Sequence, residues 1–85
     1  MMDSGRPTVL IVDDDPVARL LAREALEQSG WSVEEAENGR LGLEVFITRR
    51  PDLILLDIMM PEMDGFAVCA ELRKLPEGIH TPVLM

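Results

Sequence analysis

Four aspartates of this sequence stand where carboxylates can act together. Asp13, Asp14 and Asp15 follow directly on the apolar run Val9-Leu10-Ile11-Val12, and Asp57 follows Leu53-Ile54-Leu55-Leu56. Two unit negative charges about 4 Å apart repel by roughly 4 kcal/mol at an effective dielectric near 20, so three carboxylates do not gather without compensation. A divalent cation is the simplest compensation, and hard oxygen ligands select Mg²⁺ or a similar ion over zinc. Mg²⁺ keeps several waters while bridging carboxylates to a phosphate, which points to phosphoryl chemistry. A carboxylate beside such an ion can itself be the nucleophile and become an aspartyl phosphate. Asp57, alone at its strand end and followed by a loop, is the best-placed acceptor. Taken singly, each aspartate reads as a turn former or helix cap, the role expected of Asp15. The joint placement of Asp13, Asp14 and Asp57 at two strand ends favours the metal.

These carboxylates converge only if the strands that carry them are neighbours. Val9 to Val12 is an uninterrupted, β-branched apolar run, the habit of a strand buried on both faces of a parallel sheet. Pro16 suits a first helical residue behind an N-cap at Asp15. Val17, Leu20, Leu21, Ala25 and Leu26 then recur at helical spacing, and Gly30 closes the helix. Ser32 to Ala36 reads as a second strand, Asn38-Gly39 as a turn, and Leu41, Val45 and Phe46 as a second helical face that ends before Pro51. Asp52 to Asp57 repeats the first strand pattern. Met59 to Gly65 is a loop, Phe66, Cys69, Leu72 and Leu75 mark a third helix, Pro76 to Pro82 is a loop, and Pro82 to Met85 begins a fourth strand. The order β-α-β-α-β-α-β implies right-handed crossovers and helices on both faces of a parallel sheet. The stretch from Asp14 to Asp57 is about two βα units long, which makes strands one and three neighbours. In such sheets the ligand crevice lies at the carboxyl ends of the strands, where all three aspartates fall.

The 85 residues hold one domain at most, and 16 acidic against 8 basic side chains leave a formal net charge of −8. That balance, with Lys and Arg scattered singly or in pairs, argues against direct nucleic-acid binding and for a cationic partner. Cys69 is the one cysteine, so no intrachain disulfide forms. No apolar run reaches the roughly 18 to 20 residues of a membrane span, and the start Met-Met-Asp-Ser-Gly-Arg lacks a signal-peptide core, so a soluble, cytoplasmic protein is expected.

The run V-L-I-V-D-D-D-P from Val9 to Pro16, with Asp57 inside D-I-M-M-P-E-M-D-G, closely resembles the receiver domain of two-component response regulators. The resemblance runs from about Thr8 to Met85, which divides the chain into an N-terminal tail, residues 1–7, and a partial receiver domain, residues 8–85. It implies a flavodoxin-like α/β fold with strand order 2-1-3-4. It also implies Asp57 as phosphoacceptor for a histidine kinase, Asp14 as a direct Mg²⁺ ligand, Asp13 as a carboxylate holding the metal mainly through water, and Met59 as the donor of a backbone carbonyl to it. The Met59 side chain, being apolar, would not orient an attacking water, which predicts slow hydrolysis of the phosphoryl group. Such a domain is a phosphoacceptor and not an enzyme in the ordinary sense. The family pattern also has a Thr or Ser at the end of strand four, a Lys at the end of strand five and two further helices, none of which this sequence reaches. The fold is therefore expected to be incomplete, with an unpaired apolar edge at strand four and a tendency to self-association or strand exchange.

Two other readings are open. Asp13-Asp14-Asp15-Pro16-Val17 also fits the D-x-D-x-V of haloacid-dehalogenase-like phosphatases, with Asp13 as nucleophile and Asp15 as acid/base, but that reading leaves D-I-M-M-P-E-M-D-G unexplained. A truncated receiver with weak or no phosphotransfer, acting through association, shares the same ancestry. His80 is a lone loop histidine with no second ligand type beside it, Cys69 a small core residue, and Trp31 a residue expected over an edge of the fold.

Overall fold

The computed structural model describes residues 5–85; residues 1–4, most of the proposed tail and of the stretch judged against a signal peptide, lie outside the described residues. The elements run β1 (Thr8–Val12), α1 (Pro16–Gln28), β2 (Ser32–Ala36), α2 (Gly39–Arg49), β3 (Leu53–Leu56), α3 (Gly65–Lys74), a 3₁₀ turn (Pro76–Gly78) and β4 (Val83–Leu84). The sheet is parallel with order β2-β1-β3-β4, as the sequence implied. Val12 pairs with Ala36 on one side and Leu56 on the other, so β1 and β3 end level with each other.

Alternation along the strands divides the core in two. Leu10, Val12, Ala36, Ile54 and Leu56 face α2 and α3, where Phe46, Met60, Val68 and Leu72 complete a buried cluster. Val9, Ile11 and Val33 face the other way, covered by Ala22 and Leu26 of α1 with Trp31, Leu53 and Leu55 alongside. Trp31 thus packs on the α1 side of the sheet.

Local chemistry sets the helix ends. The Asp15 carboxylate accepts from Val17 N at 3.0 Å with Pro16 behind it, as expected of an N-cap followed by proline. Gly30, with φ of 95°, ends that segment in a conformation suited to glycine. Asn38-Gly39 differs from the expected turn: Asn38 Oδ1 accepts from Leu41 N at 2.8 Å, and Gly39 is the first residue of α2. A Cβ at Gly39 would lie 2.6 Å from Val68 Cγ2, so the missing side chain lets α2 approach α3.

Two helical faces depart from the periodicity. In α1 no residue is fully buried, and Val17, Leu20 and Leu21 lie exposed. The helix is turned so that Ala18, Arg19, Ala22, Arg23 and Leu26 sit closest to the sheet. Polar bonds hold that face: Arg23 Nη2 donates to Val33 O at 2.9 Å, Arg19 Nη1 donates to Asp13 O at 2.6 Å, and both guanidiniums meet Glu35. In α3, Phe66 is exposed and Val68 takes the core place beside Leu72.

Among the described residues β4 is an edge strand of two residues, and Leu84 and Met85 stand more than half exposed, at 59% and 52%. Arg73 Nη1 pins the loop before it, donating to Gly78 O and Thr81 O at 2.6 and 2.8 Å.

Candidate functional site

Beyond the last ladder residues the end of β1 is bonded to β3 on one side and to β2 on the other. Asp57 N donates to Val12 O at 2.9 Å, and Asp13 N donates to Ala36 O at 3.1 Å. Both aspartates are thereby fixed at the carboxyl edge of the sheet, each with a chain turn closing behind it. Asp13 Oδ1 accepts from Asp15 N at 2.9 Å, and Asp57 Oδ1 accepts from Met59 N at 3.2 Å. These are the local turns that short carboxylate side chains make with the backbone two residues on.

One carboxylate oxygen each from Asp13, Asp14 and Asp57 lies within 4.8 Å of the others. Asp13 and Asp57 are partly buried and Asp14 is exposed, so the cluster opens to solvent on one side. The donor set is all oxygen and anionic, and no His or Cys joins it among the described residues. Such a set fits a hard divalent cation of the Mg²⁺ type and is ill suited to a soft one. Beside it is an open cavity of about 310 Å³ whose lining includes Asp13, Asp57, Ala18, Leu55 and Leu84.

Of the residues named from sequence, Asp13, Asp14 and Asp57 are brought together. Met59 lies at the rim, its N–H bonded to Asp57 and the residue 82% exposed. Asp15, the acid/base of the phosphatase alternative, spends its carboxylate on capping α1. His80 is an exposed loop residue, and Cys69 is half-buried against the α2–α3 core.

Sequence reasoning passed over Arg19. Its guanidinium binds the Asp13 carbonyl through Nη1 and Glu35 Oε1 through Nε at 3.0 Å, with only 18% of the side chain exposed. The available signal was a cation one helical turn past the Asp15 cap, on the helix face that periodicity assigned to solvent.

A four-stranded parallel sheet with helices on both faces and an acidic cluster at the carboxyl ends of adjacent strands defines a flavodoxin-like domain with a candidate phosphoryl site. The family model described as "Response regulator receiver domain" matches residues 9–85, and the chain belongs to that family. Its members are phosphoacceptor signalling domains and not enzymes in the usual sense. The chain is 43% identical over 79 residues to the DNA-binding dual master transcriptional regulator RpaA of Synechocystis sp., covering 93% of this chain and 33% of that protein. It thus spans about a third of that relative's length. Among solved structures, Vibrio cholerae chemotaxis protein CheY4 superposes with a TM-score of 0.92 at 34% identity, covering 95% of this chain and 68% of the other. Response regulator TrrA of Thermotoga maritima, solved with Mg²⁺ and BeF, matches with a TM-score of 0.77 at 41% identity, over 80% of this chain and 59% of that one. No helix among the described residues is long and apolar enough to cross a membrane.

Proposed function

We propose that this chain receives a phosphoryl group on Asp57 from the phosphohistidine of a histidine kinase, in the cytoplasm, and that the phosphorylated state is read by a partner. The observation that carries this reading is the convergence of the Asp13, Asp14 and Asp57 carboxylates at the carboxyl edge of β1 and β3. A free Asp57 oxygen attacks phosphorus as the phosphorus–nitrogen bond of the phosphohistidine breaks. The bonding pair stays on the imidazole nitrogen, and an acyl phosphate remains on Asp57. Asp14 is assigned as a direct ligand of Mg²⁺, Asp13 as a ligand mainly through water, and Met59 as the source of a backbone carbonyl. Bound there, Mg²⁺ supplies charge neutralisation for the group in transfer. Asp13 and Asp57 are held ready by their backbone bonds to Ala36 and Val12, so little reordering is needed at the moment of transfer. The new charge on Asp57 then biases a conformational equilibrium that the partner senses.

Intact mass after incubation with a small phosphodonor tests this. The expected result is gain of one phosphoryl group that depends on Mg²⁺ and is lost in Asp57→Asn. No gain in a folded sample overturns it.

A second reading has its own observation. Among the described residues β4 lies at the edge of the sheet with Leu84 exposed, which favours self-association or strand exchange. Under this reading phosphotransfer is weak or absent and association is the function.

A further inference from the structure

The peptide that joins Asp13 to Asp14 is gripped from α1. Arg19 Nη1 donates to the Asp13 carbonyl oxygen at 2.6 Å, and Arg19 Nε donates to Glu35 Oε1 at 3.0 Å. Glu35 in turn lies 2.7 Å from Arg23 Nε through its other oxygen, an ion pair that is close but not aligned as a hydrogen bond. Arg23 Nη2 donates to Val33 O at 2.9 Å, which closes the chain back onto β2.

We propose that Arg19 is a positioning residue for the carboxylate cluster: by holding the Asp13 carbonyl it sets the relative directions of Asp13 and Asp14, and with them the site's affinity for a divalent cation. A peptide unit is planar and contains both flanking Cα atoms. Holding the carbonyl oxygen of Asp13 therefore restrains the peptide plane that links the two Cα atoms bearing these side chains. The N–H of Asp13 is already bonded to Ala36 O, so Arg19 secures the second polar group of that residue. The planar fork of arginine reaches the carbonyl and Glu35 together, which the single ammonium of a lysine does not. This inference rests on the metal reading of Asp13, Asp14 and Asp57 given above.

Charge alone makes the opposite prediction. Arg19 is a cation next to an anionic site, so as a mere neighbour it weakens cation binding, and its removal tightens it. As a positioning residue it strengthens binding, and its removal loosens it. Loss of a group that orients a metal ligand costs on the order of 10 to 100-fold in affinity, and a backbone anchor at a half-open site falls at the lower end, about tenfold.

The test is calorimetric titration of the chain with Mg²⁺, at a temperature well below the melting point of each metal-free variant. Arg19→Met is expected to raise the Kd about tenfold, and Arg19→Lys, which keeps the charge, is expected not to restore it. Unchanged or tighter binding in a folded Arg19→Met overturns the proposal. Should Arg19→Met fail to fold, Arg19→Lys decides on the same titration, with wild-type affinity counting against. Absence of Mg²⁺ binding by the wild-type chain sinks the metal reading itself, and this inference with it. Wild-type binding with unaltered variants sinks this inference alone.

Discussion

Gly65 and the carbonyl of Asp57 are in backbone contact: a Cβ at position 65 would lie 2.7 Å from that oxygen and 2.9 Å from the Cα of Ile58. Gly65 N also donates to Ile58 O at 3.0 Å, so the start of α3 is bound directly onto the chain that carries the candidate acceptor. The glycine of the D-I-M-M-P-E-M-D-G motif is required by this approach, and not by any unusual φ.

Gly65→Ala forces the two segments apart, an overpacking expected to cost about 1–3 kcal/mol. Urea denaturation measures that loss. The same variant is expected to take up phosphoryl from a small donor more slowly than the wild type, because Asp57 moves with the displaced backbone. A rate equal to wild type at normal stability would show that the contact leaves the carboxylate unaffected.

Met59 bears on how long the phosphoryl group lasts. Its N–H is bonded to Asp57 and its side chain is exposed at the rim, where a thioether gives an incoming water no strong partner. Met59→Asn supplies an amide that can hold such a water, and the phosphoryl half-life is expected to shorten several-fold. A time course of intact mass after removal of the donor checks this; an unchanged half-life counts against it.

Leu84 tests the second reading. If the β4 edge drives association, sedimentation of the wild-type chain shows a mass that rises with concentration, and Leu84→Lys, a charge on that edge, restores the monomer. One well-folded wild-type monomer at high concentration would remove the idea.

Much of this architecture was legible because several signals agreed at the same residues. Val9 to Val12 is apolar without interruption and is buried throughout, and Asp15 with Pro16 marks a helix start by two separate chemistries. Phe46, expected on the face of the second helix, is 1% exposed at the centre of the larger core. The three site aspartates were visible since strand-end position alone brings them together. Less legible was whatever depended on rotation about a helix axis. Periodicity read Val17, Leu20 and Leu21 as the inner face of α1, but the bonds of Arg19 and Arg23 to Asp13, Glu35 and Val33 hold a different face inward. Val68 was overlooked for Phe66 in the same way, and Asn38-Gly39 read as a turn because the place of Val68 against Gly39 is a contact between distant parts of the chain.

The absence of any fully buried residue in α1 divides the domain dynamically. Segments with few buried apolar contacts open locally at low free energy, while well-packed strands open only with the whole fold. Amide protons of α1 are therefore expected to exchange ahead of those in β1 and β3, and those of α2 and α3, which bury Phe46, Val68 and Leu72, to hold longer. Asp13 and Asp14 are coupled to the early-opening layer through Arg19, whereas Asp57 is tied to the late-opening one through Gly65. The carboxylate cluster thus joins the two layers, and whatever bridges its two sides is expected to slow exchange in α1 by making them open as one.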